Sequence, residues 1–302
     1  MELNREQVCV LIPTLNEAPT IGALIREFHE AGYSHILVMD GRSTDGTLSI
    51  AQKEGAEVQT QRSSGKGNAI IEAVSLISLP YVLMVDGDGT YSARDADRMV
   101  TPLFEGYRHV IGERTGERSF SRLNRMGNRL INNLFKMAHG RHLSDILSGY
   151  RAFTLESIRQ MHLRETGFEI ETEMAVQVVK NNQPIAVVPV LYELRTGTRT
   201  KLKPFQDGFR IIRAIYRLAR VNNPLFYFGL IGIILFAGGA VTGVYVLTEW
   251  FRDIEHLPLT ILTLLLMTLG FELVMFGVIG DMMLAFHREI QLEIQDIRRR
   301  IK

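Results

Sequence analysis

Leu225 to Thr248 is a run of 24 residues without one charged side chain. At about 1.5 Å per residue such a run, as a helix, crosses a hydrocarbon core of roughly 30 Å. A second apolar stretch, Leu257–Gly280, follows the short polar segment Glu249–His256. The chain is therefore expected to carry a transmembrane hairpin, with its chemistry in the residues before it. The connecting loop has one arginine, Arg252, whereas basic residues are dense before Leu225 and after Phe286. That asymmetry predicts both hairpin ends on the cytoplasmic side. Glu272 lies inside the second stretch, where a carboxylate costs at least ~2.5 kcal/mol unless neutral or paired, so it is expected to hydrogen-bond a helix partner.

Flanking segments fit the same picture. Arg210, Arg213, Arg217 and Arg220 stand at helical spacing, with Phe205, Phe209, Ile212, Tyr216 and Ala219 on another face. Such a helix lies in a membrane interface with its cations toward anionic headgroups, or packs as an ordinary amphipathic helix. After the hairpin, Phe286, Ile290, Ile294, Ile297 and Ile301 form a stripe suited to packing on the soluble part or on a second subunit, so a homo-oligomer is one expectation. The N-terminal residues are too polar for a signal peptide, which predicts a cytosolic first domain. Cys9 is the single cysteine, which excludes an internal disulfide. With 34 basic against 33 acidic residues and a net charge of +1, nucleic acid is not among the expected partners.

From Met1 to about Val221 the sequence alternates apolar and polar segments. Val8–Ile12 reads as a strand broken by Pro13, and Ile21, Leu24, Ile25 and Phe28 give helical spacing over Thr20–Ala31, capped by Thr20 or Asn16. A strand His35–Met39 ends at Asp40, a third covers Ala56–Thr60, and a helix starts at Ser64 or Asn68. Tyr81–Val85 is a wholly apolar run that stops at Asp86-Gly-Asp88, as a central strand of a parallel sheet would. This βαβ rhythm predicts an open, mostly parallel α/β sheet whose right-handed crossovers bring Pro13–Glu17, Asp40 and Asp86–Asp88 to one edge. Ligands of such sheets sit beyond the carboxyl ends of the strands. Two carboxylates one residue apart suit a hard divalent cation, Mg²⁺ or Mn²⁺, shared with substrate phosphates. Gly65-Lys66-Gly67 lacks P-loop spacing, yet a lysine beside a helix start can touch a phosphate or remain solvated.

Pro13-x-x-Asn16-Glu17, Asp40-Gly-x-Ser-x-Asp45-Gly-Thr47, Gly65-Lys66-Gly67 and Asp86-x-Asp88 occur in this order. The set resembles family 2 glycosyltransferases, whose fold is GT-A, a nucleotide-sugar-binding α/β sheet. Downstream, Gly112-Glu-Arg114, the basic stretch Arg122–Lys136, Asp145-Ile-Leu-Ser148-Gly149-Tyr150-Arg151 and Gly167-Phe168-Glu169-Ile-Glu171 look like the dolichol-phosphate mannose and glucose synthase branch. The likeness implies that Pro13, Leu15, Glu17 and Asp40 hold the base and ribose, with Asp86 and Asp88 holding metal and diphosphate. It implies also that Arg114, Arg122 and Arg125 hold an acceptor phosphate. Arg199 and Lys201, in the basic linker that ties the domain to the bilayer, are expected to close over the site. Gly89 and Thr90 stand where mannose synthases carry Leu-Gln, which favours a UDP-sugar over GDP-mannose and leaves the third protein ligand of the metal unassigned.

The implied organisation is a cytosolic GT-A domain over 1–200, a basic interfacial helix and linker over 201–222, two transmembrane helices within 223–286 (about 225–248 and 257–280), and a cytosolic helix over 287–302. The implied reaction is inverting transfer of a sugar from a nucleotide-sugar donor to a polyprenyl or dolichyl phosphate, at the membrane lipid surface. A lipid phosphate is already ionised and needs no general base, whereas arginines must hold it beside a second anion. A hydroxyl acceptor would need a base, and Asp145 is the first candidate; otherwise Asp145 and Glu171 orient cations or shape the sugar pocket. A non-catalytic nucleotide-binding scaffold is the alternative of another class.

Overall fold

A computed structural model describes residues 3–115, 122–194 and 204–301. Two compact units result: residues 1–136 with 140–215, and residues 137–139 with 216–302.

The first unit is built on a seven-stranded sheet: β1 (Val8–Thr14), β2 (His35–Asp40), β3 (Glu57–Thr60), β4 (Tyr81–Met84), β5 (His109–Thr115), β6 (Arg151–Thr154) and β7 (Ile185–Leu191). Their order is β3-β2-β1-β4-β6-β5-β7. β1 pairs parallel with β2 and β4, β2 with β3, and β5 with β7, while β6 runs antiparallel between β4 and β5. Alternation along β1 explains its central place. Val8, Val10 and Ile12 enter one core with helices α1 (Ala18–Glu30) and α4 (Ala96–Phe104), and Cys9 and Leu11 enter the other with α3 (Lys66–Leu76) and α7 (Ile170–Lys180). A strand covered on both faces has no polar side, so its sequence is continuously apolar.

β1 runs through Pro13 instead of stopping at it, with Pro13 opposite Met39. Leu11 accepts from Val85 N, so alternation turns the Pro13 nitrogen the same way, past the end of the β4 ladder where no donor is needed. α1 also starts earlier than its apolar spacing suggests, at Ala18, and neither Thr20 nor Asn16 caps it. Asn16 Oδ1 accepts from Thr44 N, and the first helical amide, Ala18 N, donates instead to Asp45 Oδ2 at 3.1 Å. The remaining helices of this unit are α2 (Thr47–Lys53), α5 (Arg122–His139, its last turn in the second unit), α6 (Leu155–Arg159) and the start of α8 (Pro204–Asn222). Within α8, Ile211, Ala214 and Ile215 are buried, and Phe209 and Ile212 are exposed.

The second unit is a helical hairpin, α9 (Pro224–Trp250) and α10 (Leu257–Ile301). Both are long and apolar enough to cross a membrane, over Pro224–Trp250 and Leu257–Phe286. Their seam is made of small residues. A Cβ on Gly232 would stand 2.6 Å from Gly270 O, and one on Gly270 would stand 2.6 Å from Phe236 N. Thr263 Oγ1 donates to Thr242 Oγ1 at 2.9 Å. Close backbone approach and a hydroxyl bond are how apolar helices associate without a hydrophobic driving force. Glu272 does not join this seam. It is exposed on the outer side of α10, because the seam leaves no room for a carboxylate. The tail continues α10 as one helix to Ile301, and the side chains of the isoleucine stripe beyond Ile290 lie outside the described residues.

Candidate active site

Three chain segments meet at the carboxyl ends of β1, β2 and β4. Asp40, fully buried at the end of β2, accepts from Ser43 N at 2.8 Å and Ser43 Oγ at 2.5 Å; Thr14 Oγ1 lies 3.5 Å from the same carboxylate. Ser43 Oγ in turn accepts from Asn16 N, and Thr47 Oγ1 accepts from Glu17 N. The loops after β1 and β2 are thereby tied into one wall. Pro13, Glu17 and Asp40 are buried in it, and Leu15, 41% exposed, is the member of that expected group that projects from it. Asp40 thus shapes the wall through Ser43, with its oxygens already engaged.

Beyond β4, Asp88 Oδ1 accepts from Thr90 N at 3.1 Å and Thr90 Oγ1 at 2.6 Å. Thr90, which departs from the mannose-synthase pattern, therefore holds the carboxylate in place. Asp86 faces Lys66, whose Nζ lies 2.5 Å from Asp86 Oδ1 and 2.5 Å from Glu171 Oε1 on α7. Burial opposes the Lys66 charge, but the two carboxylates outweigh it and raise its pKa. The glycines beside Lys66 explain its position. A Cβ on Gly65 would stand 2.2 Å from Thr166 O, and one on Gly67 2.0 Å from Glu165 O, while Gly67 N donates to Thr166 O at 2.9 Å. Backbone packs directly on backbone, which only glycine permits. The flanking glycines thus anchor the lysine root.

The antiparallel β6 delivers the opposite wall. Tyr91 Oη lies 3.2 Å from Ser148 Oγ, and Gly149 N donates to Tyr91 Oη, which sets Gly149 directly against the Asp86 carboxylate. Arg151, fully buried, donates to the Ser148 and Ile146 carbonyls at 3.0 and 2.7 Å and buttresses this turn. Arg114, at the end of β5, grips Asp145 through two bonds, Nε to Oδ2 at 2.6 Å and Nη2 to Oδ1 at 2.8 Å. Asn128 Nδ2 approaches Asp145 Oδ1 at 3.3 Å, and Tyr192 stacks 5.4 Å beneath the guanidinium. Burial opposes the Arg114 charge, and Asp145 raises its pKa despite it. Arg125 is exposed on the first turns of α5; the Arg122 side chain, Arg199 and Lys201 lie outside the described residues.

Asp86 and Asp88 offer hard oxygen donors beside a resident ammonium, so the locus suits a cation. Among the described residues no cluster of three His, Cys, Asp or Glu side chains forms a complete cage. Two carboxylates would hold Mg²⁺ or Mn²⁺ only with substrate oxygens and water completing the shell. The roles of Thr90, Gly149, Gly65 and Gly67 in shaping the site were not read from sequence. A glycine just before a strand at a ligand edge was the available signal for Gly149.

The glycosyl transferase family 2 signature matches residues 9–167. Glycosyltransferase AglJ of Haloferax volcanii is 47% identical over 298 residues, covering 97% of this chain and 98% of that one. A dolichyl-phosphate hexose transferase from the same organism is 31% identical over 222 residues, covering 72% of this chain and 96% of that one. Glucosyl-3-phosphoglycerate synthase of Mycobacterium tuberculosis, solved with Mn²⁺, UDP and glucosyl-3-phosphoglycerate, superposes with a TM-score of 0.60 at 22% identity, over 70% of this chain and 80% of that one. That likeness shows the fold, the GT-A type expected from the sequence. The family signature covers more than half of the chain and a relative spans nearly all of it: this protein is a member of glycosyl transferase family 2, a nucleotide-sugar glycosyltransferase.

Proposed function

We propose that the protein transfers a sugar, with inversion, from a UDP-sugar to the phosphate of a polyprenyl or dolichyl phosphate. The observation that carries this reading is the Arg114–Asp145 fork. One guanidinium engages both Asp145 oxygens, so Asp145 is assigned as the counter-ion of that buried arginine and not as the base that an acceptor hydroxyl would need. An ionised lipid phosphate needs no such base. It attacks the anomeric carbon as the bond to the diphosphate breaks on the opposite face, and the electron pair leaves with the diphosphate. The similarity to a protein named dolichyl-phosphate hexose transferase supports the same acceptor class.

Each segment has a task in this reading. The wall built by Pro13, Leu15, Glu17 and Asp40 receives the base and ribose, and Asp86 and Asp88 hold the metal against the diphosphate. When bound, the cation neutralises the leaving group. UDP, Mn²⁺ and Mg²⁺ complexes of fold relatives favour those partners. Arg114 stays charged in its buried setting, and with Arg122 and Arg125 supplies the cationic side for an anionic acceptor. Arg199 and Lys201 close over the donor. The hairpin anchors the chain in the bilayer with the catalytic domain on the cytoplasmic face, and α8 lies in the interface with Phe209 and Ile212 toward lipid.

The test is incubation of the purified protein with a panel of UDP- and GDP-sugars, Mg²⁺ or Mn²⁺, and dolichyl or undecaprenyl phosphate, followed by mass spectrometry of the lipid. A lipid-phosphate-linked sugar from a UDP donor, abolished by EDTA, is the expected product. Sugar transfer only to hydroxyl acceptors would overturn the acceptor assignment.

A further inference from the structure

Lys66 and a divalent cation are candidates for the same carboxylate. The ammonium lies 2.5 Å from Asp86 Oδ1, well inside the distance at which a metal at Asp86 would be repelled by it. Lys66 cannot be removed as a whole, because its backbone is locked by Gly65 and Gly67 against the carbonyls of Thr166 and Glu165. Its side chain is therefore an arm on a fixed pivot. The second carboxylate it touches, Glu171, is 3% exposed, and Glu171 Oε2 is buried without a hydrogen bond among the described residues. A buried carboxylate oxygen without a donor costs free energy, so that oxygen is a destination for an ammonium leaving Asp86. The neighbouring Arg151 guanidinium is spent on the Ser148 and Ile146 carbonyls. Phe168 extends the same side, with its ring 5.9 Å from Lys66 Nζ.

We propose that Lys66 is a built-in competitor of the divalent cation at Asp86, and that Glu171 is the receiving carboxylate onto which it withdraws when the metal binds. Lys66 and Glu171 are thereby positioning residues that set metal affinity with opposite signs. Lys66 opposes the metal by occupying Asp86, and Glu171 favours it by drawing Lys66 away. A consequence is that free metal binds weakly and the metal enters best together with the donor diphosphate, whose oxygens complete its shell. The inference rests on the metal assignment of Asp86 and Asp88 made above.

Its test is Mn²⁺ titration of the full-length protein in detergent, read by the electron paramagnetic resonance signal of free Mn²⁺, with and without UDP. Without UDP, Lys66→Gln is expected to tighten Mn²⁺ binding by about tenfold, the scale of removing one adjacent charge. Glu171→Gln is expected to weaken it, because Asp86 then holds the ammonium alone. Asp88→Ala abolishes binding in either background. A folded Lys66→Gln protein with unchanged or weaker Mn²⁺ affinity overturns the competitor role. Should Lys66→Gln not fold, Lys66→Met and Glu171→Gln carry the same test, and Glu171→Gln binding Mn²⁺ as tightly as the parent overturns it. Unaltered Mn²⁺ binding by Asp88→Ala would instead sink the metal assignment itself, which separates the two failures.

Discussion

Gly149 and Asp86 are in direct steric contact: a Cβ on Gly149 would stand 2.1 Å from Asp86 Oδ2. Glycine is required there by the carboxylate, not by backbone conformation, since Gly149 is not among the residues of positive φ. Gly149→Ala must push Asp86 from its place. A displacement near 1 Å at a reacting site costs roughly 10²-fold in rate. We expect kcat/KM to fall by about that factor while circular dichroism is retained; near-normal turnover would show that Asp86 need not hold this position.

Asp145→Asn removes the carboxylate that balances Arg114. The Asp145 side chain is 4% exposed and that of Arg114 is 12% exposed, so the substitution takes from a buried guanidinium the carboxylate it grips by two bonds. Breaking such a pair costs about 3 kcal/mol. Denaturant unfolding of the parent and variant measures the loss. In the same variant, turnover with lipid phosphate should keep the acid limb of the parent's pH profile, the limb a general base would set, since the proposed acceptor needs no base.

His109 makes stability depend on pH. Burial and then the charge of Arg151 hold its pKa well below the ordinary 6.5. Arg151 Nη1 lies 3.2 Å from His109 Nε2 and must donate to it, so the folded imidazole is neutral. The unfolded chain takes up a proton near pH 6.5 and the folded chain does not. Stability from this site is therefore complete above pH 6.5 and declines as pH falls below it, by up to ~1.4 kcal/mol per pH unit. His109→Gln should flatten the fall in thermal midpoint between pH 6.5 and 5; an unchanged slope would contradict the assignment.

Gly232→Val tests the hairpin seam. The added side chain begins 2.6 Å from Gly270 O and 2.9 Å from Val274 Cγ2, so α9 and α10 must part. Overpacking of this kind costs about 1–3 kcal/mol. A paired cysteine reporter across Thr242 and Thr263, whose hydroxyls are 2.9 Å apart, should cross-link readily in the parent and poorly in the valine variant.

The strand–helix rhythm to β4, the acid-bearing strand ends and the two apolar helices were legible in the chain because each is a local, periodic signal. What escaped was set by contacts across long sequence separations. Asp45 caps α1 from 27 residues away, and nothing near Ala18 announces it. β6, with only Arg151–Thr154, is too short to carry a period, so its antiparallel insertion was invisible. Glu171 stands in a helix whose buried residues include Glu171, Thr172 and Glu173, where polarity would ordinarily mark a solvent face. Lys66 was identified as a candidate, but its partners come from the turn after β4 and from α7. Glu272 was misplaced because hydropathy reports depth and not direction around the helix.

The reversal of β6 has a consequence for how such an enzyme diversifies. β1, β2 and β4 present their outgoing ends at the crevice, whereas β6 presents its incoming end, so the chain arrives at Asp86 through Ser148 and Gly149. The chain described over 122–150 lies between two adjacent strands, β5 and β6, and α5 and Asp145 belong to it. Its length and composition can change while β5 and β6 keep their pairing and the donor wall keeps its loops. On the proposed acceptor role of Arg125, selection can then exchange what receives the sugar by rewriting a single detour, leaving the machinery that delivers it inherited intact.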